Sequence, residues 1–225
     1  MPRPSRTGPS VRPIAHRSLV DRVTDELHRS ILNGDLPPDG AVSIVELCEL
    51  FEVSHIPVRE ALRRLEREGL IHLRPARSAV VAALTTDDLD QTYRLLEVVE
   101  GDLIMRAVPA MTDDRLERIR RSLADLTELD TAGIETAARA DAHRALHLAF
   151  VADVAGEVDR RVLEMLWYSA DRYEHVLAAA PESRYAEDRT LVELARAGDP
   201  ERLRTAWIAH LRDRSAAVRE ALPSD

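Results

Sequence analysis

The chain has no lysine, one cysteine, two phenylalanines and two tryptophans, and no long apolar run anywhere in its 225 residues. The single Cys48 excludes an internal disulfide, and its place inside an apolar-periodic segment reads as a small core residue rather than a nucleophile. Uncharged runs reach only about ten residues, too short for a bilayer, and no apolar block follows the arginine-bearing amino terminus. A cytoplasmic protein without a membrane partner is therefore expected. Without lysine, every cation is a guanidinium, a planar fork that fits phosphate or a guanine edge, although genome composition accounts for the bias equally well.

What is present is a globular composition, 45% hydrophobic, sufficient for one large domain or two modest ones. The net charge of −9 is unevenly spread. Residues 1–82 hold 12 arginines against 11 acidic residues, and residues 83–225 hold 19 against 29. The two halves are expected to meet different partners.

Residues 1–16, "MPRPSRTGPSVRPIAH", have no apolar period and read as a flexible basic arm. From Ser18, the residues Leu19, Val20, Val23, Leu27 and Ile31 form one helical stripe that Asn33-Gly34 stops. After the turn "DLPPDGAV", Ser43 caps a short second helix; Ser54 caps a third, "SHIPVREALRRLEREG", which Gly69 ends. "LIHLRP" and "SAVVAAL" read as a two-stranded hairpin. Residues 17–83 are thus expected to form a winged helix-turn-helix. Residues 84–225 carry long amphipathic segments near 86–108, 112–129, 134–155, 157–179, 184–197 and 200–221, with short connectors, and predict an antiparallel all-helical bundle. The fold class is mostly α.

In a helix-turn-helix, the second helix enters the major groove with its amino-terminal end at the bases. That end carries Ser54, His55, Ile56 and Arg59. Arg59 is the candidate for bidentate contact to guanine; Arg63, Arg64 and Arg67 suit phosphates or ion pairs with Glu60 and Glu68. An arginine-rich helix is also a common solvated face. Here, however, capped helix, turn, second capped helix and wing occur in order.

The block "VSHIPVREALRRLEREGLIHLRPARSAVVA" resembles the DNA-binding domain of GntR-type bacterial transcription regulators over about residues 18–83. The residues after the capping serine are usually arginine and threonine there, and are His55 and Ile56 here; Ser78 stands where the wing usually has glycine. The resemblance implies Arg59 as a base reader and Arg77 as a minor-groove or phosphate contact in the wing. Its operator sequence is not transferable across those changes.

"ADAHRALHLAF" sets His143 and His147 four apart on one helical face, a spacing that suits metal ligands and a solvated surface alike. The segment "QTYRLLEVVEGDLI" and the bundle after it are similar to the ligand-binding domain of the FadR branch of that family, in its metal-containing variant. That resemblance implies a divalent cation held by His147 and His210, with His143 where a carboxylate is usual and Asp188 where a histidine is usual. Three imidazoles and one carboxylate suit Zn²⁺, Ni²⁺ or Mn²⁺ and leave room for water or an anion. Arg94 is implied, within two or three residues of register, as a contact to an effector carboxylate, with Glu97 a weaker candidate; a surface salt bridge to Asp90 or Glu97 is the alternative for Arg94. Trp167, Tyr168 and Tyr173 are expected to pack the bundle.

The expectation is a homodimeric regulator that binds a pseudo-palindromic double-stranded DNA operator and senses a small anionic metabolite through the metal. A metal-free bundle that dimerises or binds an anion is the first alternative. A metal-dependent hydrolase is disfavoured, because no general base is evident beside the histidine pair and no HExxH motif occurs.

Overall fold

The computed structural model describes residues 18–74, 78–131, 136–177 and 184–222. The basic arm and Arg77 lie outside the described residues. Ser18 opens α1 (Leu19–Leu32) through a reciprocal cap. Its hydroxyl accepts from the Asp21 amide at 3.1 Å, and the Asp21 carboxylate accepts from the Ser18 amide at 3.0 Å. The stripe that begins at Val23 buries Val23, Leu27 and Ile31. Val58, Leu62 and Leu65 of α3 (His55–Arg67) face the same core, Leu65 with no exposed surface. Each such side chain contributes about 1.5–3 kcal/mol of apolar burial. Ser43 caps α2 (Ile44–Leu50), as its sequence position predicts.

Two local expectations are corrected. The hairpin of β2 (Ile71–Arg74) and β3 (Ser78–Val81) is joined by a third strand, β1 (Ala41–Ser43), which pairs antiparallel with β3 to give the order β1-β3-β2. Gly40 aims the chain into that strand: its amide donates to the Pro37 carbonyl at 2.9 Å, and an added Cβ would stand 2.6 Å from the same oxygen. Ser54 occupies the extended position ahead of α3, yet its hydroxyl makes no hydrogen bond into the helix. The first-turn amides of α3 therefore keep no side-chain cap.

The carboxy-terminal part is the expected antiparallel helical bundle. It comprises α4 (Thr86–Ala107), α5 (Asp113–Thr131), α6 (Thr136–Val151), α7 (Glu157–Asp171), α8 (Arg184–Ala197) and α9 (Pro200–Ala221). Along the α4–α9 seam, Asp90 pairs with Arg219, Glu97 with Arg212 and Glu100 with Trp207, so the two chain directions oppose. Tyr93, Leu96, Leu103 and Ile104 of α4 pack with Phe150, Leu163 and Leu211 in one buried cluster. The segment expected to run over 157–179 stops at Asp171, and a 3-10 turn follows at Glu174–Leu177. The break seats two side chains. Tyr173 donates its hydroxyl to the Thr85 carbonyl at 2.9 Å, and buried Arg172 donates to the carbonyls of Gly69, Ala82 and Ala83. Arg172 thereby ties the bundle to the ends of α3 and β3. Gly69, at φ 75°, supplies the left-handed turn that presents its carbonyl there.

Candidate functional site

Two faces carry the chemistry. On the first, α3 buries Pro57, Val58, Ala61, Leu62 and Leu65. Helical geometry then turns Ser54, His55, Ile56, Arg59 and Arg63 outward, and all five are exposed. Ile56, Arg59, Arg63, Arg67 and Leu73 of β2, with Glu60 and Glu66 among them, border a groove of about 650 Å³. Among the described residues, no carboxylate pairs with Arg59 or Arg63, whereas Arg64 is committed to Asp21 at 2.7 Å. Hydrogen bonds from Ser18 and Arg64 hold the Asp21 carboxyl down to about 2. Arg64 is thus a brace between α1 and α3 rather than a phosphate ligand. His55 sets its Nδ1 3.2 Å from Sγ of Cys48 on α2, which is half-buried beside the amino-terminal core.

On the second face, three helices bring His143, His147, His210 and Asp188 together. One nitrogen from each histidine lies within 4.8 Å of the other two. The His143 and His147 ring centres are 4.3 Å apart, and His210 is 5.8 and 5.6 Å from them. Asp188 Oδ1 is 3.7 Å from His210 Nε2. Asp188, His147 and His210 are buried. Nε2 of His143, Nε2 of His147 and Oδ1 of Asp188 are enclosed and receive no hydrogen bond. Bare buried polar atoms carry a desolvation cost that a cation would offset. The three imidazole nitrogens therefore fit a divalent metal, with the Asp188 carboxylate beside His210 as a further donor. Burial holds the His143 imidazole well below its ordinary range, and the Arg214, His147, His210 and Arg144 charges push the same way, so it is neutral at neutral pH, the form that ligates.

Behind the cluster stands a residue that the sequence reading passed over. Glu100 of α4 is 1% exposed. Its Oε1 accepts from Trp167 Nε1 at 2.5 Å and lies 3.1 Å from His147 Nδ1; its Oε2 accepts from Trp207 Nε1 at 2.7 Å. Burial alone raises its carboxyl, but the His147 charge and the bonds from His147, Trp207 and Trp167 together hold it below the usual value. An ionised Glu100 fixes His147 with Nδ1 as donor and leaves Nε2 to the cluster. The available signal was an acid on the buried stripe Leu89, Tyr93, Leu96, Glu100.

Arg94 is corrected. It is exposed on α4, one residue and about 100° beyond the buried Tyr93, and does not enter the bundle. The alternative partners offered for it are also taken, Asp90 by Arg219 and Glu97 by Arg212. The guanidiniums that do border the histidines are Arg144 and Arg214, around a space of only about 20 Å³. Arg144 bonds Asp171 and Asp141 and lies 4.7 Å over the Tyr168 ring. His28 of α1 also stacks on Tyr168, at 4.4 Å, and reaches Glu68, the residue capping α3, at 2.9 Å.

The description "Bacterial regulatory proteins, gntR family" matches residues 19–81, and the FCD domain matches residues 91–213. The HTH-type transcriptional regulator Mce2R of Mycobacterium tuberculosis is 30% identical over 215 residues, covering 85% of this chain and 88% of its own. An uncharacterized HTH-type transcriptional regulator from an unstable DNA locus of Streptomyces ambofaciens is 32% identical, covering 83% and 79%. In fold, the E. coli McbR/YncC structure superposes with a TM-score of 0.79 at 22% identity, over 91% of this chain and 99% of that one. No helix among the described residues is long and apolar enough to cross a membrane. With its helix-turn-helix face and its bundle both matched, the chain belongs to the GntR family and is a DNA-binding transcriptional regulator with an FCD domain.

Proposed function

We propose that the protein is a sequence-specific, non-enzymatic regulator whose operator affinity is set by a small carboxylate-type metabolite, bound in the bundle at a divalent metal of the Zn²⁺, Ni²⁺ or Mn²⁺ type. The observation that carries this reading is the convergence of His143, His147 and His210, with Asp188 beside His210 and buried atoms that receive no hydrogen bond on His143, His147 and Asp188. These four residues would hold the ion, and Glu100 would orient His147. When bound, the cation supplies a positive centre for an anionic ligand. Arg144 and Arg214, not Arg94, add charge beside it. The space there, about 20 Å³, has room for roughly one water. A metabolite must therefore move the helices that close it, which gives it a preference between two arrangements of the bundle.

That preference reaches DNA through contacts already described. Arg144 follows His143 in α6, overlies Tyr168, and through His28 meets Glu68 at the end of the recognition helix. A ligand that shifts α6 then changes operator affinity by the same free energy with which operator changes ligand affinity. On α3, Arg59 reads a guanine and Ser54, His55 and Arg63 contact the neighbouring backbone or bases, with Arg77 and the basic arm adding phosphate contacts. Leu95 and Val98, exposed three residues apart on α4, supply an apolar surface for a homodimer, and a two-fold dimer requires a pseudo-palindromic site. A location in the cytoplasm follows from this role.

Metal analysis of the purified protein, after reloading with Zn²⁺, Ni²⁺ or Mn²⁺ and desalting, tests the reading. The wild type should retain roughly one equivalent per chain. The combined His143→Ala, His147→Ala and His210→Ala variant should retain almost none. Equally low metal in both leaves the bundle as a metal-free dimerisation or anion-binding unit. Ester or phosphoester turnover abolished by His147→Ala would instead establish a hydrolase.

A further inference from the structure

Ile56 is a branched apolar side chain that is 75% exposed, in the first turn of α3, where the neighbouring Pro57 and Val58 are buried. The core accounts for Pro57 and Val58 and does nothing for Ile56. Its surroundings are a groove lined by Arg59, Arg63 and Arg67, by the carboxylates Glu60 and Glu66, and by Leu73. His55, the residue before it, is turned toward α2 by its contact with Cys48, at 3.2 Å. Ile56 is thus an exposed apolar side chain in the turn that leads a recognition helix into the major groove.

The major-groove edges of the four base pairs present hydrogen-bond donors and acceptors and a single kind of apolar group, the C5 methyl of thymine. An isoleucine at the tip of a reading helix has no hydrogen bond to offer, and only that methyl rewards it. We infer that Ile56 reads a thymine methyl in each half-site, beside the guanine read by Arg59. Three residues along a helix advance about 4.5 Å, against about 3.4 Å per base-pair step, so the thymine and the guanine lie within one or two base pairs of each other. A cytosine methylated at C5 presents the same group. Binding is consequently sensitive to cytosine methylation at that position.

The inference rests on α3 being the base-reading helix, and the test separates the two. Full-length protein selects duplexes from a randomised library; each thymine of the selected half-site is then replaced, one at a time, by deoxyuridine, which lacks only the methyl. Wild-type affinity should fall about fourfold at one thymine per half-site, the value of one buried methyl-sized group. Ile56→Ala should bind the thymine and deoxyuridine duplexes equally, and Ile56→Val should keep most of the discrimination. With cytosine at that position, C5 methylation should strengthen binding to the wild type and leave Ile56→Ala unmoved. A selected consensus that is indifferent to every deoxyuridine, or whose sensitivity survives Ile56→Ala, overturns the role of Ile56 alone. A selection that yields no sequence preference overturns α3 as the reader as well. Ile56 is exposed, so an unchanged circular dichroism spectrum is expected for both variants and excludes misfolding as the cause.

Discussion

Nδ1 of His147 lies 3.1 Å from Oε1 of Glu100, and the same carboxylate is held from both sides by the indoles of Trp167 and Trp207. The imidazole that faces the proposed metal is therefore oriented by a charge that is itself immobilised. Few carboxylates are wholly buried without such a set of donors.

Replacing Glu100 by Gln keeps the shape but leaves an amide NH₂ where an acceptor is required. Metal affinity should fall about 10- to 100-fold, the usual cost of losing an orienting carboxylate behind a ligating histidine. Unfolding by urea should show a loss of about 1–3 kcal/mol from the unsatisfied donor left behind. A competition titration against a chelating dye measures the first and the urea midpoint the second; metal affinity equal to wild type would remove Glu100 from the site.

His143 gives the chelator-treated protein a defined response to acid. Burial, reinforced by the Arg214 charge, holds its folded-state pKa well below the ordinary value. Below pH of about 6.5 the unfolded chain takes up a proton that the folded chain refuses, so stability is full above that pH and declines on acidification. The urea midpoint in the presence of chelator should drop between pH of about 7 and about 5.5, and more steeply for the wild type than for His143→Gln. Parallel profiles for the two proteins would show that His143 is not the group responsible.

On the DNA face the two kinds of arginine contact separate by experiment. Arg59→Ala should cost about 1–3 kcal/mol and relax selection at one base position. Arg63→Ala should weaken all sequences alike and lower the salt slope by about one. Binding measured across a randomised operator pool and a salt series distinguishes these outcomes, and an Arg59→Ala variant with unaltered base preference would exclude Arg59 as a reader.

The parts of the fold that were legible in the sequence are those whose causes are local. Ser18 and Asp21 close a cap within three residues, and His143 and His147 share a face because four residues make a little more than one turn. Strand β1 was hidden because three residues have no period of their own; only pairing with β3 makes them a strand. Glu100 was hidden for the same kind of reason, since the indoles that make its burial tolerable are 67 and 107 residues away. Arg94 failed on register: an error of one or two positions along α4 exchanges the inner face for the outer one. Ser54 stands where its sequence places it, but its hydroxyl makes no cap bond, a matter of side-chain rotation that sequence does not fix.

Arg172 offers a way to measure how firmly the bundle holds the DNA-binding part. It is 6% exposed and donates to the carbonyls of Gly69, Ala82 and Ala83, which belong to the segments leaving α3 and β3. Burial depresses the guanidinium's pKa from its ordinary value; an arginine stays charged in proteins, so the three carbonyls are gripped by a full charge. Arg172→Met keeps the aliphatic stem and removes every donor, leaving the Ala82 carbonyl buried without this partner. The loss should be about 1–3 kcal/mol and should fall on the coupling between the two cores rather than on either core. Calorimetry should accordingly resolve two transitions in the variant and one in the wild type. The amino-terminal transition should move down by about 4–8 °C for each kcal/mol lost, because so small a unit has a small unfolding entropy. A single transition at the wild-type temperature would show that the two parts are joined by something other than this arginine.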